Sequence, residues 1–100
     1  MMQLLHVEFP YTGPWGTEMA TAMHDLAHSI AKEPGLIWKI WIENKEAGMS
    51  GGTYLFRDRA SAEAYLAMHT ERLKSFGIPE VRGTLFAVNT ELSHVDRAPI

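Results

Sequence analysis

Leu36-Ile37-Trp38-Lys39-Ile40-Trp41-Ile42-Glu43 and, after a glycine-containing loop, Gly52-Thr53-Tyr54-Leu55-Phe56-Arg57-Asp58 are the two runs whose reading decides the fold. The first splits by parity into an all-apolar set (Leu36, Trp38, Ile40, Ile42) and a mixed set (Ile37, Lys39, Trp41, Glu43). Successive side chains of a strand point to opposite faces, so this is a strand with one dry side and one partly polar side. The second run is rich in aromatic and β-branched residues, and Lys45 to Gly51 is short and glycine-rich enough to close a hairpin between them.

Working outward, Gln3 to Phe9 alternates, with Leu5, Val7 and Phe9 on one face and Leu4, His6 and Glu8 on the other, so it is a half-buried strand. Pro10 and Tyr11-Thr12-Gly13-Pro14 end it. Thr17 can cap a helix, with Glu18 in its first turn, and Met19, Met23, Leu26, Ala27 and Ile30 share one helical sector. Glu33-Pro34-Gly35 stops that helix. On the other flank, Asp58 can cap a second helix running to about Phe76, where Gly77 and Pro79 follow; Ala62, Tyr65, Leu66, His69, Leu73 and Phe76 gather on one side of it. Val81 to Asn89 reads as a fourth strand, and Thr90 to Ile100 as a frayed tail or an arm across a dimer.

The order strand, helix, strand, strand, helix, strand predicts an α+β, ferredoxin-like βαββαβ fold: a four-stranded antiparallel sheet with both helices on one face. One hundred residues make one domain, 1–100. Parity assigns strand faces only relative to each other, and the more apolar set of the 36–43 strand is assigned to the helix side. The other face then carries Leu4, His6, Glu8, Ile37, Lys39, Trp41 and Glu43, a surface suited to pairing with a second copy.

Composition removes several function classes. The chain is 46% hydrophobic and 21% charged, with a formal charge of −3, and its pI is about 5.9. That charge disfavours nucleic acid or an anionic membrane as partner. Absence of cysteine excludes disulfides, thiolate metal sites and a cysteine nucleophile. Together with the lack of a signal-peptide pattern or a membrane-length apolar run, it leads to the expectation of a cytoplasmic protein. No glycine-rich segment follows a strand and opens a helix at phosphate-loop spacing, and no nucleophile elbow is present.

Two histidine features remain. His24-Asp25-Leu26-Ala27-His28 mimics a helical zinc motif, but both imidazoles fall about 100° to 180° from the apolar stripe and face water, so no metal site is expected. His69 lies in the middle of the second helix's stripe, between Leu66 and Leu73, and faces the sheet. It is either a hydrogen-bonded core residue or a base or ligand anchor with a tuned pKa. Trp38, Tyr54, Phe56 and Tyr65, on the presumed helix side, are either plain core or the wall of a cavity for a flat organic molecule. Arg57, at a strand end, could steer an anionic substrate.

Thr12-Gly13-Pro14-Trp15-Gly16, Glu33-Pro34-Gly35 with Trp38-Lys39 and Trp41, Gly51-Gly52-Thr53-Tyr54-Leu55-Phe56, Ala64-Tyr65-Leu66 with His69-Thr70, and Val88-Asn89 resemble, in order, the YdhR-like monooxygenases. That family is similar in fold to the dimeric α/β-barrel proteins, which include the antibiotic-biosynthesis and haem-degrading monooxygenases. The resemblance implies a homodimer whose sheets pack as a barrel, a cavity in each subunit between sheet and helices, and oxygen insertion into an aromatic substrate with no cofactor. Better understood relatives use an asparagine on the first strand and a tryptophan near the start of the second helix. This chain has His6 and Glu8, and Asp58-Arg59-Ala60, at those places, while His69 has a counterpart in the haem-degrading branch.

Three functions therefore stand as expectations. The first is a cofactor-independent monooxygenase acting on a phenol, quinol or anthrone-like compound, with His69 as base or hydrogen-bonding group and Trp38, Tyr54, Phe56, Tyr65 and Arg57 as binding residues. The second is a non-catalytic protein that binds a small aromatic ligand. The third is a haem-binding or haem-degrading protein with His69 as axial ligand.

Overall fold

A computed structural model describes residues 1–100. Strands β1 (Gln3–Pro10), β2 (Leu36–Asn44), β3 (Met49–Phe56) and β4 (Arg82–Ala87) form one sheet in the order β2-β3-β1-β4, antiparallel throughout. Helices α1 (Gly16–Ala22) and α2 (His24–Ala31) precede β2, α3 (Arg59–Ser75) precedes β4, and α4 (Thr90–Val95) follows it. The α+β, ferredoxin-like reading of the sequence holds. No helix is long and apolar enough to cross a membrane.

The core lies between the sheet and the helices. Leu5, Val7 and Phe9 from β1 and Tyr54 and Phe56 from β3 meet Ile30 of α2 and Ala62, Tyr65 and Leu73 of α3. The α3 spacing of three or four residues keeps those side chains and His69 on one stripe. As the sequence indicates, Asp58 caps α3, its carboxylate accepting from the Ser61 N–H at 2.8 Å. Gly77, at φ +90°, lets the chain leave the other end, and the Ile78 N–H returns to the Leu73 carbonyl.

Local details depart from expectation for identifiable reasons. The first helical segment divides at Met23 into α1 and α2, and Trp15, not Thr17, stands at the N-cap. The cap is supplied from the sheet: Glu43 accepts from the Gly16 N–H at 2.9 Å. Strand β3 begins at Met49, ahead of Gly52, because Gly51 can pair closely with β1; a Cβ there would collide with the Val7 carbonyl. The 90–100 segment is not a frayed tail. Asn89 caps α4, accepting from the Leu92 N–H at 3.1 Å, and the Trp38 indole N–H donates to the Pro99 carbonyl at 2.9 Å. Since β4 and β2 are opposite edges, the C-terminal segment crosses the sheet on its helix-free face, where Leu55 is fully buried.

The largest correction concerns the faces of β2. A bulge between Leu36 and Trp38 inserts one residue, so parity changes along the strand. Leu36 packs into the core, but from there on Lys39, Trp41 and Glu43 pair with the core-side register of β3, opposite Tyr54, Gly52 and Ser50. Trp38, Ile40 and Ile42 point to the helix-free face with Leu4, His6, Glu8, Thr53 and Leu55. The all-apolar set thus lies outside and the mixed set inside. Trp38 is half-buried and tied to the C-terminal segment through its indole N–H, whereas Ile40 is 53% exposed and Phe86, on the same face, 51%.

Candidate functional site

Because Lys39 and Trp41 turn inward, they face α1, α2 and α3 across a gap that the core does not fill. This cavity, about 220 Å³, is walled mainly by apolar groups, among them Phe9, Tyr11, Met19, Met23, Leu26 and Trp41. Polar side chains join them: Lys39, Tyr54 and His69, the Tyr11 hydroxyl, and Ser50, whose hydroxyl is already spent on the Ile42 carbonyl. An apolar hollow with a few convergent polar groups is the usual form of a small-molecule site.

His69 is 3% exposed. Arg72, one turn on along α3, donates from Nε (3.2 Å) and Nη2 (2.9 Å) to His69 Nδ1. A guanidinium is always a donor, so Nδ1 must be the acceptor and the ring proton resides on Nε2. Burial, with the cations Arg72 and Lys39 adding to it, pulls the His69 pKa down to about 3. The ring is therefore neutral at physiological pH, one nitrogen is occupied, and the other offers a hydrogen bond. His69 stacks on Tyr65 (ring centroids 4.9 Å, 25°), and the Tyr65 hydroxyl donates to the Tyr54 hydroxyl at 3.1 Å. That leaves the Tyr54 proton free to be donated elsewhere. Burial raises both phenols, Tyr65 to about 12 and Tyr54 further, so neither ionises near neutrality.

Lys39 is half-buried, with its ammonium nitrogen 3.3 Å from the centre of the Trp41 ring and 4.6 Å from that of Tyr54. Burial, and then the Arg72 charge, lower its pKa to about 7. Gly52 makes this fold-back possible, since a Cβ there would lie 2.6 Å from Lys39 Cε. Tyr11 contributes a different feature: its hydroxyl is buried with no hydrogen-bond partner. An orphaned group of this kind costs about 1–3 kcal/mol unless a ligand satisfies it.

Among the residues singled out in the sequence, His69 and Tyr54 come together at the cavity. Tyr65 and Phe56 form a layer behind Tyr54, at centroid distances of 4.9 and 6.1 Å. Trp38 does not belong to this group, because the β2 bulge turns it to the other face. Arg57 is exposed beyond the end of β3 and is not part of the cavity wall. His24 and His28 are exposed, as their helical phase indicates. Lys39, Trp41, Tyr11 and Arg72 escape the sequence reading. Lys39 and Trp41 share one parity, a signal that became misleading at the bulge, and Arg72 stands three residues after His69, the spacing of neighbours on a helix surface.

The fold and this cavity set the frame for comparison with known proteins. The sequence profile described as "Putative mono-oxygenase ydhR" matches residues 4–99, nearly the whole chain. The chain belongs to the ydhR mono-oxygenase family. Among curated proteins none matches it. Two solved structures are similar to this family member in fold. SnoaB, a cofactor-independent oxygenase from Streptomyces nogalater, superposes with a TM-score of 0.61 at 14% identity over 88% of this chain and 93% of that one. An antibiotic biosynthesis monooxygenase from Deinococcus radiodurans, so described as putative, gives 0.58 at 15% identity over 87% and 92%. Haem is a poor fit for this ydhR-family cavity. To ligate iron through Nε2, His69 would have to carry its proton on Nδ1, against the Arg72 guanidinium.

Proposed function

We propose that this protein is a cofactor-independent monooxygenase that oxidises a small phenolic, quinol or anthrone-like compound inside the cavity between sheet and helices. The observation that carries the reading is the composition of that cavity: apolar and aromatic walls with Lys39, Tyr54 and His69 converging on one hollow. The ydhR family and the SnoaB-like fold support it.

An electron-rich aromatic can be activated by removal of one proton. The resulting anion gives an electron to dioxygen, and the two radicals combine at a ring carbon. For an anthrone-like CH2, loss of water then leaves a carbonyl, so that one oxygen atom enters the product and the other leaves as water. The protein need only bind the flat substrate, stabilise its anion and exclude water. The walls meet the first requirement. His69 Nε2–H and the Tyr54 hydroxyl meet the second as neutral donors held in place before reaction, His69 by Arg72 and Tyr54 by Tyr65. The role of His69 in this reading is donor, not base.

We also assign to this protein a homodimer through the helix-free face. Ile40 and Phe86 offer apolar area there, beside a polar lattice in which His6 meets Thr53 (3.1 Å) and Glu8, and Glu8 meets Arg82.

The test is oxygen consumption by metal-chelated protein over a panel of anthrones, quinols and naphthols, beside a variant with Leu26→Trp to fill the cavity. Uptake by the wild type that collapses in the filled variant supports the reading. Saturable quenching of Trp41 fluorescence without uptake would replace it with the binding protein.

A further inference from the structure

Lys39 is the one amine of the cavity, and its setting is unusual. It has no carboxylate partner; the basic–acidic contacts of the chain join His6 to Glu8, Arg59 to Glu63 and Arg82 to Glu8. The groups that face it are Trp41 on its own strand, Tyr54 on β3, and His69 and Arg72 on α3. Of these the only fixed charge is the Arg72 cation. Among the polar groups at the cavity, Tyr11 and Tyr54, both raised by burial, hold their protons, and His69 has its free nitrogen already protonated. Lys39 alone can accept a proton near neutral pH.

We propose that Lys39 is the general base of this site, and that the substrate is accordingly a phenol or enol whose O–H lies against the Lys39 amine. The proposal rests on the aromatic-substrate reading given above. The substrate O–H bond breaks and an N–H bond forms on Lys39, while the electron pair stays on the substrate oxygen. The product of this step is an ammonium–phenolate pair with no net charge added to the cavity. Each half has a stabilising neighbour: the Trp41 ring face, 3.3 Å from Nζ, for the ammonium, and the Tyr54 hydroxyl and His69 Nε2–H for the phenolate. Gly52 has a function in this arrangement, since it leaves the space in which the lysine folds onto Trp41.

The experiment uses 2-naphthol, whose absorption distinguishes phenol from phenolate, bound to the full chain near pH 8, where the ligand is un-ionised in water. Wild type, Lys39→Met and Lys39→Arg are compared by spectra and by calorimetry in buffers of different ionisation enthalpy. The wild type is expected to hold naphtholate with no net proton released, because the proton moves to Lys39. In Lys39→Met the bound ligand should remain neutral, its pKa higher by about 1–3 units. In Lys39→Arg naphtholate forms, but roughly one proton per ligand goes to the buffer, since guanidinium cannot accept it.

The proposal is overturned if wild type and Lys39→Met bind the ligand in the same ionisation state, or if the wild type releases a proton as Lys39→Arg does. Those results leave the aromatic cavity standing. Failure of any naphthol to saturate the wild type overturns the base and the aromatic reading together. Lys39→Met keeps nearly the same volume and removes a buried charge, so it is expected to fold. Under turnover it should lower kcat by about 10²–10⁴-fold and abolish the acid limb of the kcat/KM profile near pH 7.

Discussion

Replacing His69 with glutamine should remove a defined part of the acid sensitivity of this fold. In the native state the ring stays neutral down to about pH 3, because it is buried and faced by Arg72 and Lys39, whereas in the unfolded chain it takes a proton at its ordinary pKa of 6.5. Between those values the unfolded state binds more protons, so stability falls as pH falls. The loss from this one residue is about 1.4 kcal/mol per pH unit. Across two units below 6.5 it comes to about 2.7 kcal/mol, a large fraction of a typical domain stability of about 5–15 kcal/mol. Urea unfolding of wild type and His69→Gln from about pH 7 to about pH 4.5 measures it. Groups common to both proteins cancel in the difference, and loss of the Arg72 bond adds a pH-independent offset. The variant should lose ground to the wild type near pH 7 and regain about 2.7 kcal/mol by pH 4.5. Parallel pH profiles would refute the buried neutral imidazole.

Lys39 gives the complementary dependence: its native pKa of about 7 lies below its ordinary 10.5, so stability rises with pH between these values. Lys39→Met should therefore melt above the wild type at about pH 7, with the gain vanishing above about pH 10.5 in parallel thermal scans. Gly52→Ala should force Lys39 Cε, the far end of a flexible side chain, away from its present place at little cost in urea melts, while weakening the quenching of Trp41 by naphthol. Deleting residues 97–100 removes the Pro99 carbonyl that accepts from Trp38; a red-shifted Trp38 emission and a loss of about 0.5–1.5 kcal/mol in urea melts are expected.

The fold was legible because its signals were local and redundant. Alternation in Gln3 to Phe9, the Asp58 cap, the α3 stripe and the Gly35 and Gly77 exits each constrain one element, and they agree. The site was half legible. His69 could be found from its helical phase alone, and Tyr54 from strand parity, since neither depends on an irregularity. The inner face of β2 could not. Its parity was a correct description up to Leu36, and one bulged residue then reversed it, placing Lys39 and Trp41 where Trp38 and Ile40 were expected. Nothing in the local pattern forbade this, because both parity sets contain large apolar side chains, and the compensation for exposing Trp38 comes from Pro99, 61 residues away. Gly52 held the relevant clue, as a glycine opposite Trp41 marks a place where another group needs the room. The role of His69 likewise depended on Arg72, whose two donors choose the tautomer and convert a possible base into a donor.

Isotope labelling tests monooxygenation inside this cavity. Metal-chelated protein is incubated under ¹⁸O₂ with the panel compound that gives the fastest oxygen uptake, and product and water are analysed for label. One labelled oxygen atom is expected in the aromatic product and the other in water, with the incorporation lost in the cavity-filled variant. Unlabelled product, or label that enters equally well when the cavity is filled, would contradict monooxygenation there.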